Sequence, residues 1–187
     1  MIEPDPFITP QDLSDYLGRD LTSDNGALMA CDAACSMIRG LVEQSLNAGT
    51  ATIFLDGAGT DALVLPEWPV GTITAVVADG GTITDYCATT NGVLIRGSAG
   101  VGPRALWTMG RQNVQVTYTY GWQVFPTNQI PRDVRMVALT VASRMVVQGV
   151  AQSETIGDVT VDYGMAATDF TDGERAILYG YIRHRSF

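Results

Sequence analysis

Two hydrophobic periods alternate along this chain. Leu28, Cys31, Cys35, Ile38 and Val42 recur at spacings of 3, 4, 3 and 4, the stripe of an amphipathic helix. Val114, Val116, Tyr118 and Tyr120 instead alternate with Gln115, Thr117 and Thr119, the signature of a half-buried strand. Helical spacing governs the two ends and strand-like texture the middle. A short helix is predicted over residues 11–17, with Thr9 as N-cap, Pro10 at the first helical position and Gly18 as a left-handed stop. A longer helix, capped near Ser23, is predicted to run to about Leu46. From Ala48 onward Gly and Thr become frequent, and strands are predicted at 51–55, 62–65, 72–78, 82–86, 92–96 and 113–120. Asp79-Gly80-Gly81 is a hairpin signal, because Gly tolerates the positive φ that tight turns require. The Gly-rich stretch 97–110 is predicted to be a loop.

Helix returns at Pro131 and is predicted through Gln148, with Gly149 as its stop. This segment is apolar on two sides. Val134, Val137, Ala138, Val141, Ala142 and Met145 form one face, and Met136, Leu139, Ser143 and Val147 another. Such a helix is either central in its own fold or covered by a neighbouring subunit. Residues 155–163 alternate weakly, as a small strand or extended arm would. Thr171 and Glu174 have capping-box spacing, and Ile177, Leu178, Tyr181 and Ile182 follow as a stripe. Arg183, His184 and Arg185 then place positive charge at the negative end of that helix. The expected fold is α+β: a bundle of about four helices, residues 1–48 and 128–187, with a β-rich insert, 49–127, between the second and third.

Composition narrows what such a fold can do. Hydrophobic residues make up 46% of the 187 and charged residues 17%, which suits a packed core and excludes a disordered chain. The formal charge of −9 repels DNA and anionic membranes at long range. Acidity is concentrated in residues 1–94, where 13 acids face only Arg19 and Arg39; residues 95–187 hold 7 acids and 9 Arg. All 11 basic residues are Arg, so Schiff-base chemistry and the P-loop lysine are excluded. The acidic opening MIEPDPFITP does not read as a signal peptide, and no apolar run reaches the ~20 residues of a membrane span.

Candidate reactive groups are few. The single histidine, His184, lies three residues from the end between two arginines, a poor place to hold a general base. Cys31 and Cys35 share a helical face but supply only two of the four ligands a zinc site needs; with Cys87 they read as core thiols in a reducing compartment. Residues 56–61, DGAGTD, lack the spaced acids of a calcium loop and the GK[ST] of a P-loop, and read as a turn. Trp68, Trp107 and Trp122 could stack on bases or sugars, although core packing is the commoner use. No catalytic, cofactor-binding or metal-binding set emerges, and the chain does not read as an enzyme.

The order of several pieces carries a resemblance. ITPQDLSDYLG opens, a helix ending IRGLVEQSLN follows, then LVLPEWPVGTITAVVADGG, VQVTYTYGW, IPRDVRMVALTVASRMV and the closing ERAILYGYIRHRSF. Over residues 8–187 this order resembles the head–tail connector (adaptor) family of tailed bacteriophages, in its longer form with a β insert. The resemblance implies a homo-oligomeric ring, commonly twelve copies, beneath the portal in the neck of the virion, assembled in the bacterial host cytoplasm. The portal would engage the C-terminal segment 171–187 and a stopper or tail-completion protein the other end. Double-stranded DNA would pass through without specific binding, and no membrane is involved. On this sequence the portal contacts would be Glu174, Ile177, Leu178, Tyr181, Ile182, Arg183, Arg185 and Phe187. Met136, Leu139, Ser143 and Val147 would face neighbouring subunits. A stopper or tail-completion protein is the alternative within the same class. A small hydrolase or sugar-binding module on the β region, with convergent acids or aromatics, is the rival from another.

Overall fold

Thr9 starts the first helix by a reciprocal pair of bonds: its Oγ1 accepts from the Asp12 amide at 3.2 Å, and the Asp12 carboxylate accepts from the Thr9 amide at 2.8 Å. Pro10 occupies the first turn and Gly18 closes α1 (Pro10–Leu17) at φ +67°. The computed structural model describes residues 5–97, 105–122, 130–148, 153–156, 159–162 and 169–182. These divide into a helical unit, from residues up to Glu43 and from Pro131 through the last helix, and a β unit, Gln44–Ile130.

In the helical unit, α2 (Asn25–Val42) is capped by Asp24, whose carboxylate accepts from the amides of Gly26 and Ala27. The cap is thus one residue beyond Ser23. The helix stops at Val42, four residues before Leu46, because Glu43 turns into the left-handed region at φ +55°. Cys31, Cys35, Ile38 and Val42 are fully buried as their spacing predicts, while Leu28 is 45% exposed at the rim of the stripe. Small residues widen that stripe: Ala27, Ala30 and Ala34 are buried beside the two cysteines. The helix α3 (Arg132–Gln148) packs on α2 and α1, and buries Val134, Val137, Ala138, Val141 and Ala142. Two strands, β8 (Ser153–Ile156) and β9 (Val159–Asp162), pair antiparallel where a single strand or arm was expected over 155–163, and β8 begins two residues before that stretch. The helix α4 (Asp172–Tyr179) packs on α2 and α3. It ends earlier than the basic run, because Gly180, Tyr181 and Ile182 form a tighter turn in which their amides reach the carbonyls three residues back.

The β unit holds two antiparallel sheets. One has the order β1 (Gly49–Gly57), β7 (Gly110–Tyr120), β3 (Val70–Ala78), β4 (Gly81–Thr82). The other has the order β2 (Ala62–Val64), β6 (Val93–Arg96), β5 (Tyr86–Ala88). Leu63, Leu65, Val76, Leu94, Trp107, Val114, Val116 and Tyr118 form their common core. The β3–β4 turn is the predicted hairpin, with Asp79 and Gly80 both at positive φ, +51° and +80°. The predicted strand 82–86 is split between the sheets: Thr82 pairs with Val77, whereas Tyr86 pairs with Arg96. The Asp85 carboxylate meets Arg96 at 3.3 Å at the crossover. The central strand β7 begins three residues before the predicted 113, because a register shift opposite Leu55 and Gly57 hides its start. Gln112, at φ +49° in that bulge, donates its amide to the Asp56 carboxylate at 2.7 Å. The fold is therefore α+β, with β1–β7 inserted between α2 and α3.

Candidate functional site

The residues singled out by sequence fall on two surfaces of the helical unit. The first is α4. Thr171 and Glu174 form the expected capping box, at 3.2 Å and 2.8 Å. Arg144 of α3 then grips the same carboxylate with both terminal nitrogens, at 2.8 Å and 3.0 Å, and donates to the Asp169 carbonyl at 2.7 Å. Burial alone disfavours the Glu174 charge, but the bonds from Arg144 and the Thr171 amide outweigh it and hold the carboxyl below the usual range. Past the helix end, the Tyr181 hydroxyl donates to both oxygens of Asp133, each at 2.8 Å. Burial and then the adjacent Asp133 charge push that phenol well above its ordinary value. α4 is thus tied to α3 at both ends.

Those ties sort the predicted portal contacts. Leu178 is fully buried within the unit, and Glu174 is buried against Arg144, so neither offers surface to a partner here. The sequence placed both on a surface because a capping acid and a core leucine fit the same pattern as an exposed anchor. Ile177 is 40% exposed, while Tyr181 and Ile182 are half-buried. Arg183, Arg185 and Phe187, with His184, lie outside the described residues. Tyr179, 52% exposed, was not foreseen; as an aromatic two residues from Ile177 it sits off the stripe that was followed.

The second surface is the outer side of α3. Met136 is 50% exposed and Val147 61%, with Leu139 and Ser143 half-buried between them. The Thr140 and Ser143 hydroxyls bond back to the carbonyls of Met136 and Thr140, so this side presents methyl and methylene groups.

Reactive chemistry is sparse among the described residues. No group of three or more His, Cys, Asp or Glu is placed to hold a metal ion. Cys31, Cys35 and Cys87 are free thiols; burial pushes Cys31 up to about 12 and raises Cys35 as well. The 56–61 turn is committed internally, since the Asp61 carbonyl accepts from the Trp107 indole and the Arg96 amide. Trp107 is buried beneath Arg96, and Trp68 and Trp122 pack edge to face at 5.4 Å, which leaves no open stacking platform between that pair. Glu67, beside that pair, accepts from the amide and hydroxyl of Ser45. An open polar cleft on the helical unit is lined by Gln11, Ser14, Asp15, Gly18, Arg19, Asp20 and Thr22; Ser14 and Asp20 are spent on local bonds. No helix among the described residues is long and apolar enough to cross a membrane.

No family model matches the chain, and no curated protein matches it. Solved structures do. A chain from the neck of the native GTA particle, computed with C12 symmetry, superposes with a TM-score of 0.60 at 16% identity, over 100% of this chain and 94% of its own. A chain from the neck of the empty GTA particle, computed with C6 symmetry, gives 0.60 at 18% identity, over 100% and 95%. A chain from the virion of the native gene transfer agent particle gives 0.57 at 18% identity, again over 100% and 95%. At these identities the likeness establishes a shared fold.

Proposed function

We propose that this chain is a structural subunit of the neck of a tailed phage or phage-like particle, a head–tail adaptor that forms a ring beneath the portal. The observation that carries the reading is the fold match along the entire chain to neck chains of symmetric particles, both units included. A shared fold does not by itself fix function. Two features of the molecule support the step. α4 is held rigidly by Arg144 and Asp133 yet presents Ile177 outward, as a docking element must. On the outer side of α3 Met136 and Val147 stay exposed, and copies packed around an axis would cover them.

In this reading Ile177, Tyr181 and Ile182, continued by Arg183, Arg185 and Phe187, engage the portal. Met136, Leu139, Ser143 and Val147 meet the adjacent subunit, and Glu174 and Leu178 position α4. The portal binds one end and a stopper or tail-completion protein the other. Twelve copies of a chain carrying −9 would carry −108 together, and acidic walls would let DNA slide without sticking. The test is electron microscopy of the purified chain mixed with the portal of the same particle. Rings seated directly on the portal are expected. Binding only to a preassembled portal–adaptor complex would reassign the chain to the stopper position. A glycan or ester substrate bound or turned over by the monomer would overturn the structural reading altogether.

A further inference from the structure

The strand β1 (Gly49–Gly57) is bonded along one side only, to β7, and forms one edge of its sheet among the described residues. Folds that leave a long edge open usually blunt it with charge, proline, a bulge or a covering element. Residues 49–55, GTATIFL, contain neither charge nor proline, and the only register shift falls at the far end, between Leu55 and Gly57. Thr50, Thr52 and Phe54 are exposed along this strand. The opposite edge of the same sheet is the two-residue stub β4, which offers little to pair with. Among the described residues β1 is the strand that forms an edge of this sheet along its full length, while on the other side β4 covers only Val77 and Ala78 of β3.

The helical unit contains the complementary object. β8 and β9 form a two-stranded sheet that pairs with no other strand among the described residues. An isolated two-stranded hairpin is marginal in water and gains stability from a third strand. Symmetry then selects the occupant. Pairing β1 with β1 of a second copy would be isologous and would close at two chains, whereas a ring needs two different surfaces that meet head to tail. An open edge and a hairpin with free edges are two such surfaces.

We propose that in the assembled ring the β8–β9 hairpin of one copy adds to the β1 edge of its neighbour, extending the four-stranded sheet to six strands across the subunit boundary. The inference rests on the ring reading given above. Four residues of the hairpin pair with part of the nine-residue edge, so main-chain bonds supply the contact and little side-chain specificity is demanded.

Hydrogen exchange on the full-length chain, compared between dilute monomer and portal-assembled ring, tests it. Amides of residues 49–57 and 153–162 are expected to slow together by about tenfold or more on assembly. A second chain, with residues 153–162 replaced by a Gly-Ser linker of equal length, is expected to keep its far-UV dichroism and melting but to lose ring assembly. Rings in which the 49–57 amides exchange as they do in the monomer would overturn the hairpin pairing and leave the ring reading standing. So would normal rings from the linker-replaced chain. If the natural chain forms no ring with the portal at all, the ring reading itself fails, and the pairing fails with it.

Discussion

Replacing Glu174 by Ala removes one partner of a nearly buried ion pair. The carboxylate is 10% exposed and the Arg144 guanidinium 15%. Without Glu174, Arg144 retains only the Asp169 carbonyl among its contacts described above, and the Thr171 amide loses its acceptor. Breaking a buried pair from one side costs about 3–5 kcal/mol, and loss of a cap is about 1 kcal/mol of that order of effect. The pair is not fully desolvated, so the low end applies, about 3 kcal/mol. Glu174→Gln keeps an oxygen for the Thr171 amide and should cost about 2 kcal/mol, as hydrogen bonds to charged groups do. Arg144→Met should cost a similar amount. The double variant Arg144→Met, Glu174→Gln should then fall short of the sum by about 1 kcal/mol, because no charge is left stranded. Urea unfolding followed by far-UV dichroism reads these values. The pH dependence has a definite sign. The folded carboxyl titrates below its unfolded value, so its contribution is complete above about pH 5 and disappears as pH falls through the folded pKa. The gap between natural protein and Glu174→Gln should hold from pH 7 to about 5 and shrink below about 4. A Glu174→Ala cost under about 1 kcal/mol, or strict additivity in the double variant, would refute the claim that this pair locks α4 onto α3.

Three further outcomes are expected. Ile177→Asp alters a 40%-exposed side chain, so unfolding should shift by no more than about 1 kcal/mol while portal binding weakens more than about tenfold; unchanged binding by sedimentation would place the contact elsewhere. Met136→Asp with Val147→Asp should leave the monomer's melting nearly unchanged and prevent ring closure, read by mass photometry of portal-assembled samples. At pH 8 a thiol reagent should modify Cys87 in the folded chain and leave Cys31 and Cys35 untouched until urea is added, because both are fully buried and Cys31 is held neutral by a pKa of about 12; three fast thiols in the native state would contradict the packing of α2.

Elements whose chemistry is local were legible in the chain. Thr9 with Pro10, Thr171 with Glu174, and Asp79-Gly80 each act within a few residues, and each does in the fold what its spacing dictates. Boundaries set by distant partners were not legible. The run 82–86 is uniformly strand-prone, yet Thr82 belongs to one sheet and Tyr86 to the other, because the partners Val77 and Arg96 lie on different layers. β7 starts at Gly110 because Asp56, far away in sequence, accepts the Gln112 amide in a bulge that disrupts the alternation. The Glu174–Arg144 tie spans 30 residues and leaves no periodic trace.

The candidate surfaces expose a deeper ambiguity. A methyl group destined for a partner and one destined for the core are chemically the same, so hydrophobic patterning reports total burial in the working assembly and not which molecule supplies the cover. On α3 both faces read alike; only packing separates Val134, Val137 and Val141, inside the unit, from Met136 and Val147, left outside it. On α4 the same ambiguity ran the other way, since Leu178 sits on the stripe with Ile177 but faces inward. The reverse inference is the useful one. An apolar face that the chain builds at helical spacing and then leaves unburied carries the cost of exposure until a partner covers it. The same holds for the seven residues 49–55 of the β1 edge, which carry neither charge nor proline. In the ring proposed above, these two features, one on each unit, would serve as different surfaces toward the two neighbouring copies.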